Sequence, residues 1–329
     1  MKTIQGLLLF TCVAIQTGWA QTDSTIQASN HVAPRYDAQA TLRQPAVDEI
    51  NGKIGYSGGQ MDSFEGHNFD ISVAIPITPQ TGFQADGLYS LIDSEDFGGG
   101  AGHLFWRDPA FGLVGIAGGF LTRDGVDTYQ VGVETEYYFE RLTVGAFAGA
   151  GHIEYDFSAP FISTDPTRFI GRLSADYYLL DDLRVGASFT TEFENNLGKI
   201  EAEYETPIRG LAITAEAATG SNDYDHWLLG VRWYFGGGGK SLRERHRSSD
   251  PASLMPQIIH GLGTYGAEYN KKGAAYFNTF YPGLQSGGNG LGNYGFQWET
   301  YGLVTEIVRI PQRPHTGIPR VPPSPSTSP

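Results

Sequence analysis

The densest chemistry in this chain of 329 residues is Lys199 to Thr206, KIEAEYET, where Glu201, Glu203 and Glu205 alternate with Ala202 and Tyr204. In an extended strand residues two apart share a face, so the three carboxylates form a ladder with rungs about 6.6–7 Å apart. Such a wall of like charge belongs beside water or beside bases, and it concentrates cations. Nucleophilic catalysis finds less to work with. The histidines His67, His103, His152 and His226 and the serines Ser57, Ser72, Ser90, Ser158, Ser163, Ser174 and Ser188 stand in no G-x-S-x-G or H-E-x-x-H arrangement. His152 lies beside Glu154 and Tyr155, and a solvated loop histidine accounts for it. Asp93, Glu95 and Asp96 read as a hydrated acidic loop, and Gly98–Gly100 and Gly236–Gly239 lack the Lys-Ser/Thr partner of a phosphate loop. No catalytic residue, metal site or cofactor is expected, and the chain does not read as an enzyme.

The elements that carry the glutamates repeat with period two from about residue 49 to residue 236. Phe69, Ile71, Val73, Ile75 and Ile77 share one face opposite Asp70, Ser72 and Ala74, and Tyr129, Val131, Val133, Thr135, Tyr137 and Phe139 alternate with Gln130, Gly132, Glu134 and Glu136. The segments fall near 49–60, 69–77, 81–93, 98–107, 111–123, 127–139, 141–155, 167–180, 183–194, 197–207, 211–220 and 225–236. That makes twelve strands of a length that crosses a bilayer when tilted. Tight turns follow the even strands, as at Trp106 to Pro109 and Leu180 to Asp182. Longer Gly-, Asp- and Ser-rich connections follow the odd ones, as at Met61 to Asn68 and Tyr155 to Thr167.

A spanning sheet leaves no backbone group unpaired in hydrocarbon, so it closes into a barrel, apolar outward and polar inward. Aromatic pairs beside the tight turns, Phe105-Trp106, Tyr137-Tyr138-Phe139, Tyr177-Tyr178 and Trp233-Tyr234-Phe235, fit an interfacial girdle. The N-terminus reads as an export signal: Lys2, the apolar Gly6 to Ile15, and small residues at Gly18 and Ala20, with cleavage after Ala20. Cys12, the single cysteine, lies inside that signal, so no disulfide is available to the exported chain. Charge is uneven: residues 49–236 carry 28 Asp+Glu against 10 Lys+Arg, and residues 237–329 carry 5 against 9. The acidic block argues against nucleic acid as a partner.

Gly230-Val231-Arg232-Trp233-Tyr234-Phe235 resembles the C-terminal signal strand of Gram-negative outer-membrane, porin-like β-barrels, with Gly230, Trp233 and Phe235 at the matching positions. The usual polar residue two before the glycine is Leu228 here, and the strand is not the end of the chain. The resemblance implies an outer-membrane location, lipid as surroundings, and the barrel-assembly machinery as a partner.

The expected fold is therefore all-β, a twelve-stranded antiparallel transmembrane β-barrel with an irregular C-terminal extension. Residues 1–20 form the signal, 21–48 a periplasmic lead-in and 49–236 the barrel. Residues 237–329 form a basic junction and a Gly-, Tyr- and Pro-rich periplasmic tail, largely disordered. With the apolar parity outward, the lumen receives Lys53, Asp70, Asp86, Glu134, Glu136, Arg172, Asp176, Arg184, Glu192, Glu201, Glu203, Glu205, Glu216 and Arg232. Excess acid among these pore-lining candidates suits a passive channel or transporter for small cationic solutes. A structural or adhesive envelope protein anchored by its barrel, and a membrane-embedded hydrolase, stay open as alternatives. For the tail three uses stay open: a flexible end, a plug that returns Lys240, Arg243, Arg245 and Arg247 toward the acidic lumen, or a contact with a periplasmic or cell-wall partner.

Overall fold

The computed structural model describes residues 44–62, 64–92, 95–123, 126–155 and 166–280. The signal, most of the lead-in, Asp93 and the chain beyond Phe280 lie outside the described residues. Twelve strands run as β1 (Asn51–Met61), β2 (Phe64–Thr78), β3 (Thr81–Ile92), β4 (Glu95–Asp108), β5 (Gly112–Arg123) and β6 (Val126–Tyr138), then β7 (Leu142–Tyr155), β8 (Thr167–Leu180), β9 (Leu183–Glu192), β10 (Asn195–Glu205), β11 (Leu211–Gly220) and β12 (Asp225–Phe235). Each pairs antiparallel with its sequence neighbour, and β12 closes on β1 from Gly52↔Phe235 to Met61↔His226. Closure satisfies both edges of the sheet, as a spanning barrel requires.

The exterior is apolar around the ring. Phe69, Ile71, Ile116, Val131, Val133, Phe169, Leu173, Ile200, Leu229 and Val231 are all exposed. No soluble protein presents so continuous an apolar surface to water, and lipid is its natural solvent. The aromatic pairs beside the tight turns split by parity. Tyr137, Phe139, Tyr177, Trp233 and Phe235 are exposed on the outside, whereas Phe105, Tyr138, Tyr178 and Tyr234 are buried inside.

Two expectations change. The odd-strand connections are mostly short, because β2 and β4 begin at Phe64 and Glu95; the exception is the segment between Tyr155 and Thr167. The C-terminal extension is not irregular throughout: α1 (Leu242–Ser248) and α2 (Met255–Phe280) follow the barrel. α2 carries an apolar stripe at helical spacing, Met255, Ile258, Ile259, Leu262, Tyr265 and Tyr269, opposite Gln257, His260, Thr264 and Glu268. Both faces are enclosed, because every residue from Gln257 to Ala267 is buried. Gly261, Gly263 and Gly266 lower its intrinsic helix propensity, which packing inside the barrel overrides.

Candidate functional site: the plugged lumen

The barrel's two chain ends, Asn51 and Phe235, lie at one end, here the near end. Beyond Phe235 the chain turns sharply, with Gly236, Gly237 and Gly239 at positive φ of 78°, 60° and 88°, a backbone that side chains resist. Ser241 then opens α1 with a capping box: its hydroxyl accepts from the Glu244 backbone N–H, and the Glu244 carboxylate accepts from the Ser241 N–H at 2.9 Å. α1 lies across the near mouth. The Arg243 backbone N–H donates to the Asp181 carbonyl at 2.9 Å, and Arg247 donates to the Leu142 carbonyl at 3.1 Å. The inward tyrosines receive it. The Arg247 guanidinium stands 5.2 Å from the Tyr138 ring and 5.6 Å from the Tyr178 ring, and Arg245 stands 5.4 Å from Tyr234. His246 is hydrogen-bonded to both Tyr178 (3.0 Å) and Tyr234 (3.1 Å). Burial between these rings pushes its imidazole down to about 4.

From α1 the chain climbs through the lumen. Asp250 accepts from Lys53 at 2.6 Å, and the Pro251 carbonyl accepts from Lys53 and from Gln84. The Leu254 N–H donates to Asp86 at 3.3 Å, where α2 begins. Higher up Gln257 meets Gln130, His260 meets Glu216, and Glu268 accepts from Asn195 at 2.7 Å, next to the turn that joins β9 to β10. Lys271 pairs with Asp223 between β11 and β12, at the far end. α2 therefore points out of the far mouth, and its 26 residues span about 39 Å at 1.5 Å per residue.

The lumen wall has two zones. Its far half is an apolar collar: Met61, Ile92, Phe97, Leu121, Val126, Ile153, Ile170, Leu197 and Leu228 form one buried cluster with Met255, Ile258, Ile259, Leu262 and Tyr265 of α2. Glycine makes room for the helix. A Cβ on Gly99 would sit 2.9 Å from the Met255 methyl, and one on Gly119 would sit 2.9 Å from Ile258 Cδ1. The glycine-rich stretches of β4 and β5 thus thin the wall where α2 presses on it.

The near half is ionic. Glu203 is its hub, 3.0 Å from Arg232, 3.3 Å from Arg184 and 2.5 Å from the Tyr234 hydroxyl. Arg184 also holds Asp176 at 2.8 Å and Glu201 at 2.7 Å. Lys199 bridges Glu201 at 2.6 Å and Glu216 at 3.2 Å, and Glu205 lies 3.6 Å from Arg245 of α1. On the opposite wall His103 joins Asp86 (2.9 Å) to Glu134 (3.1 Å), and Glu136 accepts from Tyr138 at 2.8 Å. A carboxylate stands in the far half too: Glu192, opposite Asn195 at the β9–β10 turn, accepts from Gln130 and packs on Gly261, whose lack of a side chain leaves the carboxylate its space.

All the charged candidates from the sequence sit on the inner parity. Arg172, Asp176, Arg184, Glu136, Glu201, Glu203 and Arg232 line a cavity of about 130 Å³ beside the ascending segment. Asp70 and Glu216 line a second, of about 70 Å³. The glutamate ladder, however, is a bonded core. Glu201, Glu203 and Glu205 each have a basic partner, and the inward bases Lys199, Arg107 and Arg123 were missing from the sequence reading. Lys199 shares the parity of Glu201, so alternation was a sufficient signal for it. Nothing local announced His260 or His246, whose partners lie on distant strands.

Gly230 opposes Ser57 at the β1–β12 seam, and its missing side chain lets the Tyr56 carbonyl approach. Val231, Trp233 and Phe235 face outward beside it.

No protein-family model matches the chain, and no curated protein matches it. Solved structures resemble it distantly. A KdgM porin in complex with disordered oligogalacturonate is 11% identical over 56% of this chain and 99% of its own, with a TM-score of 0.44. The COG4313 outer membrane channel from Pseudomonas putida F1 is 11% identical over 59% of this chain and 97% of its own, at 0.43. A NanC porin is 9% identical over 56% and 98%, at 0.40. Likenesses this weak carry nothing about solutes or partners. The strand pairing and the lipid-facing exterior stand by themselves: this chain has the fold of an outer-membrane-type β-barrel, closed on itself and plugged by its own C-terminal helix.

Proposed function

We propose that this protein is a porin-like channel for small solutes in the outer membrane of a Gram-negative bacterium, closed at rest by α2. The observation that supports it most is the division of the lumen, with a polar, cavity-bearing near half and a far half sealed by an apolar collar around a helix. An anchor alone needs no such cavities or buried charge. Withdrawal of α1 and the segment after it takes away Arg243, Arg245 and Arg247 against Glu244 and Asp250, a net loss of positive charge that shifts the lumen and its near mouth toward acid and favours cationic solutes. On this reading the β12 residues Gly230, Trp233 and Phe235 are read by the barrel-assembly machinery. Planar-bilayer recording on the full chain tests it. Rare, small, cation-selective openings are expected, and Ile258→Asp, which puts a carboxylate into the collar, lengthens them. Silence from both proteins over the full voltage range removes the channel reading.

A second reading draws on the direction of α2. Because the helix runs from mid-lumen to the far mouth, the barrel also suits an anchor that presents the residues after Phe280 on the cell surface. An epitope tag at the C-terminus distinguishes the two: antibody binding to intact cells supports presentation, and binding only after permeabilisation opposes it.

A further inference from the structure

Where the plug meets the β11–β12 wall, three side chains from three elements converge. Glu216 comes from β11, His226 from β12 and His260 from α2, and one donor atom of each lies within 4.8 Å of the others. Glu216 Oε1 is 3.4 Å from His226 Nε2 and 3.3 Å from His260 Nε2. A tetrahedral ion with ligands at about 2.0–2.1 Å holds neighbouring donors about 3.3–3.4 Å apart, so two of the three edges already have the required length.

The histidines are built for the task. The His226 side chain is fully buried, and its Nε2 has no hydrogen-bond partner. Its Nδ1 lies 3.1 Å from the Tyr224 hydroxyl, itself buried. When Nδ1–H donates to Tyr224, the Nε2 lone pair faces a carboxylate oxygen, an arrangement that repels until a cation stands between them. The rival tautomer, Nε2–H donating to Glu216, would leave a 3.4 Å contact that lacks hydrogen-bond geometry. Lys199 pairs with Glu216 Oε2 and leaves Oε1 to the histidines. The cavity of about 70 Å³ that borders Glu216 and His260 has room for a water as fourth ligand.

We propose that Glu216, His226 and His260 bind one divalent transition-metal cation of the zinc class, which ties α2 to the barrel wall. Two imidazoles and one carboxylate suit such ions, whereas calcium and magnesium prefer all-oxygen shells. Binding needs no movement of α2, so the test does not depend on conduction. The full-length chain, purified in detergent, stripped with chelator and checked for its folded, heat-modifiable gel mobility, is titrated with Zn²⁺ by calorimetry and assayed for retained metal. One Zn²⁺ per chain is expected, kept in excess Mg²⁺ and Ca²⁺. His260→Gln lies on the plug, outside the barrel wall, and together with Glu216→Gln it weakens binding by roughly a hundredfold or more. Tyr224→Phe, which loosens only the orientation of His226, weakens it about tenfold. Absence of stoichiometric Zn²⁺ in the folded wild-type chain, displacement by Mg²⁺, or an unchanged affinity in His260→Gln overturns the proposal.

Discussion

The two halves of the lumen hold the same segment of chain by different physics. In the far half α2 is gripped by aliphatic and aromatic side chains, with glycines in the wall where the fit is closest. In the near half the ascending segment and α1 meet a network of arginine, lysine, glutamate and tyrosine. An apolar grip is non-directional and tolerates small shifts, whereas an ionic network fixes geometry and is costly when a partner is lost. The collar therefore keeps the plug in, and the network keeps the barrel in shape.

Removal of one member of each half sharpens this division. Glu203→Gln leaves Arg184 and Arg232 with a missing anion, a change that costs about 3–5 kcal/mol in buried networks. The barrel's urea midpoint should fall strongly while α2 stays protected from protease. Leu262→Ala opens the collar and costs about 2–5 kcal/mol at a fully packed site. Here protease should reach α2 more than tenfold faster, with a smaller fall in the midpoint. If Glu203→Gln frees α2 as readily as Leu262→Ala does, the division of labour is wrong.

A third perturbation is pH. His246 has its pKa lowered from 6.5 to about 4 by burial, so the unfolded or undocked chain takes up a proton between those values that the docked helix refuses. Docking of α1 is fully stable above about pH 6.5, loses stability as the pH falls toward 4, and changes no further below it on this account. The loss is about 3.5 kcal/mol at most, at about 1.4 kcal/mol per pH unit between 6.5 and 4. Fluorescence of a probe on α1, followed from pH 7 to pH 4, should show release, and His246→Gln should flatten the profile. The smallest effect is expected at Gly119→Ala, whose methyl would meet Ile258, Ala101 and the Gly100 carbonyl. Overpacking of that kind costs about 1–3 kcal/mol, read as a modest fall in the melting temperature of α2 protection.

The barrel was legible in the sequence because a membrane wall obeys a period of two without relief. Each lipid-facing residue at 69, 71, 131, 133, 200 or 231 is matched by an inward neighbour, and the alternation places Glu201 and Glu203 as surely as it places Ile200. The partners of those glutamates were not legible. Arg184 reaches Glu203 from the next strand, and His246 and Arg245 reach Glu203 and Glu205 from beyond the barrel, so their pairing depends on register and on a returning segment. α2 was missed although its period was present. Met255, Ile258, Ile259, Leu262, Tyr265 and Tyr269 recur at helical spacing, but Gly261, Gly263 and Gly266 between them read as turn formers, whereas inside the barrel they serve close packing.

The route of the chain has a consequence for how the molecule is made. β1 and β12 form the closing seam, yet the segment that fills the ring is joined to β12 and continues past the far mouth. A ring cannot close first and then admit α2 without passing it end-on through a lumen lined by the collar. The simpler order has α2 laid against the open sheet while the first and last strands are still apart, with the seam zipping around it. The plug is then a mould for the barrel as well as its stopper, and the last strand to pair is the one that already holds the tail in place.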